Sequence, residues 1–224
     1  RTLFPYTTLF RSYSLNPPHE QALAAAWGWP GAPDVALPFA ARQAAALGLD
    51  TGQAWGLLTP VHLHLGTEQV GMTPPASLQL DAASSRALLD AVRSLFESEG
   101  FGLHYAAPLQ WLATHALFDG LATAALDRVV GRNVDAWLPD HRSAGLIRRL
   151  QIEVQMLLYT HALNDQREAA GLPTVNGIWL SGCGRLPAAG SHSPAVQVDD
   201  RLRAPALGED WAAWRSEERR VGKE

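Results

Sequence analysis

Five residues between positions 164 and 184 combine donor chemistry with backbone room: Asn164, Arg167, Asn176, Gly182 and Gly184. An apolar run, Ile178-Trp179-Leu180, opens into Ser181-Gly182-Cys183-Gly184. Glycine at two of those positions lets backbone N–H groups converge on an anion. Asn164 has the side chain of a helix N-cap, so it is expected to start a short helix whose free N–H groups face a phosphate or carboxylate. Arg167, one turn on, can clamp the same group bidentately. With Asn176, the set predicts a pocket for a small phosphorylated or carboxylate anion. A capped helix, a surface arginine and a flexible strand exit account for the same residues without a ligand.

Arg128, Arg132 and Asn133 fall at i, i+4 and i+5, one side of a helix. They are candidates to complete the anion site, or to pair locally with Asp127 and Asp135. His62 and His64 share one face of a strand at the spacing of a two-histidine metal pair. No third ligand is evident, and half-buried strand histidines explain them equally, so no metal residue is assigned. Cys183 stands where a strained elbow would expose a nucleophile, but no base accompanies it, and no catalytic residue is assigned.

The elements that must position these groups follow from period and punctuation. A helix from Ser143 carries the stripe Ile147, Leu150, Val154, Leu157, Leu158 and His161, with His161 read as a core histidine. Asp140 is its expected N-cap. Upstream, Ala-rich helices are predicted over Pro18–Trp27 and Pro38–Leu47. Leu57–Leu65 reads as a strand, with Gln69–Thr73 and Leu78–Leu80 as partners. Asp81 caps a helix over Ala82–Ser98 that Gly100 stops. Phe101–Ala106 and Leu109–Thr114 form a hairpin, and Leu121–Asn133 is helical or mixed. Trp55, Trp111, Trp137 and Trp179 are expected in the core. Helices and strands mix without strict alternation, so the class is α+β, or an irregular α/β.

The two ends are set apart from this reading. Leu3–Ser12 can be encoded by a nucleotide string whose reverse complement translates as Arg215–Glu224, residue for residue. Both ends are therefore read as translated sequencing adapter and left out of the fold. The expected organisation is 1–12 adapter-derived, 13–53 a Pro/Ala-rich segment, 54–140 an α+β subdomain, 141–214 the helix–strand part of a truncated α/β core, and 215–224 adapter-derived. Without the two ends, Lys plus Arg falls from 18 to 12 and Asp plus Glu from 22 to 19, so the formal charge moves from −4 to −7. That balance argues against nucleic acid as a partner. A single cysteine excludes an internal disulfide framework and fits a reducing, cytoplasmic setting. No apolar run approaches the roughly 20 residues of a membrane span.

Blocks at 54–62, 126–135, 150–156 and 176–184 together resemble the RpfE-type regulatory proteins of proteobacteria, whose members are often described as like cofactor-independent phosphoglycerate mutase. The likeness covers most of 13–214, and a family member would extend past both ends. The archaeal-type mutases are similar around His161-Ala162-Leu163-Asn164, Arg167, Asn176 and Gly182-x-Gly184. That resemblance implies an alkaline-phosphatase-like α/β sheet with an inserted α+β subdomain, a two-metal site and a phosphorylated serine. Asp140-His141 matches the family's Asp-His metal pair in type, and Asp119-Gly120 is a two-residue match; the remaining carboxylates, histidines and serine have no counterpart here. Three functions stay open: a cytoplasmic regulatory protein binding a small anionic metabolite, an active mutase or phosphatase holding two divalent metals in a longer protein, and a protein-interaction module whose pocket is vestigial.

Overall fold

Seven residues, all buried but the half-buried Leu57, form β1 (Trp55–Val61), the strand on which the sheet is assembled. The computed structural model describes residues 14–29, 34–66, 69–139, 144–187, 212–213 and 215–216. β4 (Gly102–Ala107) and β5 (Gln110–Thr114) form the expected hairpin, and β6 (Gly177–Gly184) lies on the other side of β1, giving the antiparallel order β4-β5-β1-β6. Pro60 is tolerated in β1 because β5 pairs only as far as Leu58, whereas β6 continues to Val61. The missing N–H therefore falls where no ladder bond is required of it. A separate ribbon joins β2 (Leu63–Leu65) to β3 (Val70–Met72).

One sheet face is covered by two long helices, α3 (Ala82–Glu97) and α5 (Ala144–Tyr159). Asp81 starts α3 as predicted, accepting from the Ser84 N–H at 2.8 Å and the Ser84 hydroxyl at 2.7 Å, which hold its carboxyl below the usual range. Leu88, Leu89, Val92 and Phe96 of α3 meet Ile147, Leu150, Val154 and Leu158 of α5 over Leu58, Trp111, Ile178 and Leu180. Truncating any one of these leucines to alanine costs about 2–5 kcal/mol. The opposite face is covered in two parts. α2 (Phe39–Ala46) packs its alanines on Trp55 and Leu112, while the 124–137 segment closes over Val61 and Trp179. Further out, α1 (Pro18–Ala26) leads into a small aromatic cluster of Trp27, Trp29 and Phe39, packed with Ala24 and Leu37.

The fold is α+β, with antiparallel rather than alternating parallel connections. β6 brings the 141–214 segment into the same sheet as β1, which belongs to 54–140. Three local expectations are corrected. Leu78–Leu80 is not a strand: Pro74-Pro75 sets a 3₁₀ turn over Pro75–Leu78, which ends at Gln79 with φ +47°. The helix expected through Asn133 is α4, only Leu126–Val129, and Gly131 at φ +71° turns the chain beyond it. His161 leaves the apolar stripe of α5 and caps the next helix, α6 (Ala162–Ala169). The adapter-like residues 1–12 and 217–224, and Asp140 with His141, lie outside the described residues.

Candidate functional site

The five residues read as one pocket divide between the two ends of β6. At its start, Asn164 and Arg167 of α6 are buried, and both face backbone. Asn164 does not cap α6; the ring of His161 does, Nδ1 accepting from the Leu163 N–H at 3.2 Å. The Asn164 amide donates to the carbonyls of Leu158 and Val175, each at 2.8 Å, and accepts from the Val175 N–H at 2.8 Å. Both of its N–H groups are thereby used. Arg167 donates from Nε to the Pro173 carbonyl at 2.9 Å and from Nη2 to the Leu78 carbonyl. Burial pulls its pKa below the ordinary value, with Asp81 opposing. Asn176 donates to the Leu63 carbonyl and accepts from the Leu63 N–H, both at 2.7 Å, adding a side-chain rung beside β2. These three side chains fasten the 173–176 segment to α6, the Leu78 turn and β2.

Gly182 and Gly184 stand at the far end. β6 rises about 3.3 Å per residue, so Gly182 is roughly 20 Å from Asn176. There the register passes from Leu57 opposite Ser181 to Trp55 opposite Gly184, leaving Gly182 and Cys183 against the single residue Gly56. The glycine elbow is therefore a β-bulge, with Gly182 in the left-handed region at φ +62°. A Cβ on Gly182 would sit 3.2 Å from the Ala40 nitrogen, and one on Gly184 would sit 3.1 Å from Pro38 Cβ. Only glycine lets the first turn of α2 come this close. Pro38 gives that helix no side-chain cap, and the close approach of its first turn puts the positive end of its dipole beside the bulge.

Beside the bulge is a cleft of about 210 Å³ whose lining includes Trp29, Pro38, Asp119, Gly120, Gly184 and Arg185. The indole N–H groups of Trp55, Trp111 and Trp179 donate to the Asp50 carbonyl, the Ser85 hydroxyl and the Ala124 carbonyl. Trp27 and Trp29 differ: they are 8% and 5% exposed, and neither indole N–H has a hydrogen-bond partner among the described residues. Arg185 is 46% exposed, 3.5 Å from Asp119 through Nε, and donates from Nη1 to the Gly52 carbonyl. Of the predicted set, only Gly184 lines this cleft. Arg185, although it directly follows the elbow, is outside the predicted set, and Trp29, far away in a Pro-rich stretch, carries no such positional signal.

The second set does not share a helical face. Arg128 is buried, its Nη2 donating to the Asn16 carbonyl at 3.1 Å, and burial followed by the charge of Arg132 lowers its pKa. Arg132 is exposed beyond the end of α4, and Asn133 accepts from the Asp135 N–H at 3.1 Å in a local turn. His62 Nδ1 lies 2.8 Å from the Thr174 carbonyl, and His64 Nδ1 3.3 Å from the Thr73 hydroxyl, with the two rings nearly parallel at 6.4 Å. Among the described residues no three His, Cys, Asp or Glu side chains converge as metal ligands. The elbow does not expose Cys183. It is 1% exposed, and burial pushes its thiol up to about 12 against an opposing hydrogen bond from Thr123. A thiol kept protonated in this way is not a nucleophile at neutral pH.

No family model matches the chain, and no curated protein matches it. Among solved structures it is similar to the cofactor-independent phosphoglycerate mutase of Thermoplasma acidophilum, with 16% identity and a TM-score of 0.48 over 69% of this chain and 48% of that one. It is also similar to the PH0037 protein of Pyrococcus horikoshii, with 14% identity and a TM-score of 0.45 over 77% of this chain and 38% of that one. The chain thus spans less than half the length of either.

Proposed function

We propose that this chain is part of a cytoplasmic metabolite-binding regulatory protein, of the RpfE type its sequence resembles, and that it takes a small carboxylate- or phosphate-bearing anion at the exit of β6. The observation that carries this reading is a cleft lined by Arg185 and by Trp29, whose buried indole N–H has no partner among the described residues. An unmade hydrogen bond at a buried donor costs about 1–3 kcal/mol, and an oxyanion would supply the missing acceptor. Arg185, Trp29 and Pro38, the residue before the first turn of α2, all line that cleft, and a guanidinium beside a helix start favours an anion. Asp119 occupies the guanidinium in the absence of ligand, so an incoming anion exchanges one carboxylate for another. At about 210 Å³ the cleft is below the roughly 300 Å³ at which pockets for drug-sized ligands begin. That size suits a three-carbon acid better than a nucleotide.

Titration calorimetry with inorganic phosphate and with a phosphorylated three-carbon acid tests the reading. Arg185→Gln and Trp29→Phe are each expected to weaken binding about tenfold, the equivalent of about 1.4 kcal/mol. Absence of heat with both ligands, or affinities unchanged in both variants, would overturn it.

A further inference from the structure

α5 carries large apolar side chains on its outer side as well as on its inner stripe, the outer ones set among Arg148, Arg149 and Gln155. The inner stripe is consumed by the core, while Ile152, Met156 and Tyr159 on the outer side are 58%, 70% and 82% exposed. With Arg149 they occupy positions 149, 152, 156 and 159, the alternating three- and four-residue steps of a helix-pairing seam. We infer that this seam pairs with the same seam of a second copy of the chain, antiparallel and centred at Val154.

The choice of occupant follows from the symmetry of the seam. A two-fold axis at the level of residue 154 places Ile152 against the partner's Met156 and Met156 against the partner's Ile152. It places Arg149 against the partner's Tyr159 at both ends. Branched against flexible is a pairing that fills space well, and a guanidinium over a phenol ring is a favourable cation–π contact. The chain already uses that contact internally, with the Arg86 guanidinium 3.7 Å from the Tyr105 ring centroid. Arg149 is held beside the seam by Glu99 and by Glu153 at 3.6 Å. The Arg149 side chain is 53% exposed beside these pairs, so it can still reach a ring. The antiparallel sense also brings Arg149 to the negative end of the partner's helix, whereas a parallel pair would set Arg149 against Arg149. The helix is about 24 Å long, so the buried area falls short of the roughly 1,200 Å² of a stable interface. The dimer is accordingly weak and concentration-dependent.

Sedimentation equilibrium of the intact chain between about 5 and 500 µM is expected to show monomer passing to dimer. Met156→Glu should weaken association at least about tenfold, and Tyr159→Ala about fivefold, each without changing the circular dichroism spectrum. In mixtures oxidised under mild conditions, Ile152→Cys should crosslink to Met156→Cys faster than to itself. A chain that stays monomeric at 500 µM overturns the inference. So does a dimer indifferent to Met156→Glu, or faster self-crosslinking of Ile152→Cys. Cys183 is buried and does not compete.

Discussion

Asn164 holds Val175 at both of its backbone polar groups, donating to the carbonyl and accepting from the N–H at 2.8 Å each. One side chain on α6 thus acts as a two-bond ladder rung for the segment that enters β6, and its second N–H reaches the Leu158 carbonyl at the end of α5. Asn164→Ala would strand both backbone polar groups of Val175, while the Leu158 carbonyl keeps the His161 N–H at 3.2 Å. With about 1–3 kcal/mol for each unsatisfied group, partly relieved by water, a net loss of about 3 kcal/mol is expected. Urea unfolding would show it as a lower midpoint at constant slope. Anion affinity at the far end of β6 should be unchanged in the folded variant.

Arg167 separates a structural from a ligand role by its shape. Its fork reaches two carbonyls, those of Pro173 and Leu78, that lie in different segments. The single ammonium of a lysine cannot span both. Arg167→Lys is therefore expected to lose about 1–2 kcal/mol of stability while phosphate binding stays at the wild-type level. Thermal melts and calorimetry on the same sample decide this. A variant of wild-type stability that has lost phosphate binding would return the anion site to the start of β6.

What could be read from the sequence, and what could not, divides along the same line. α3, α5 and the β4–β5 hairpin are legible because apolar period and punctuation act locally: Asp81 caps and Gly100 stops α3, and every fourth or third residue of α5 faces inward. Leu78–Leu80 misleads because three residues carry too little period to oppose the Pro74-Pro75 dipeptide before them. His161 matches the spacing of the α5 stripe, yet the chain turns at Thr160 and spends the ring on capping α6. The candidate site fails differently. Asn164, Arg167 and Asn176 are the residue types that bind anions, and they are equally the types that satisfy buried carbonyls and amides. Residue types alone do not say that the extended run of β6 holds Asn164, Arg167 and Asn176 at one end and Gly182 and Gly184 at the other. Trp29 and Arg185 come together only through the packing of α2 against the bulge, which no local pattern encodes.

Cys183 makes the alkaline limit of stability measurable. Its thiol is pushed from an ordinary value of 9.0 to about 12 by burial, so between those values the unfolded chain ionises while the folded chain does not. The contribution is complete below pH 9.0 and is lost as pH rises toward 12, at about 1.4 kcal/mol per pH unit. The fall in unfolding free energy from pH 9 to pH 11 should therefore be shallower in Cys183→Ala than in the wild type. Thiol reagents should label Cys183 only as fast as the chain opens.

Gly182 joins the stability of the bulge to the geometry of the cleft. Its φ of +62° disfavours any residue with a Cβ, and that atom would sit 3.2 Å from the Ala40 nitrogen. Neither obstacle involves a flexible side-chain tip, so relief requires α2 to move away from β6. Gly182→Ala is expected to cost about 1–2 kcal/mol for the left-handed conformation alone, with a further loss from the displaced helix. Moving α2 withdraws Pro38 and the uncapped helix start from the cleft, so phosphate affinity should fall together with stability. Phe39→Ala would leave the contact in place, because the Phe39 atoms nearest the new Cβ are its own Cβ and backbone nitrogen. Unfolding and calorimetry on Gly182→Ala measure the two losses together. A variant that loses stability yet keeps full phosphate affinity would mean that the helix start and the cleft act independently.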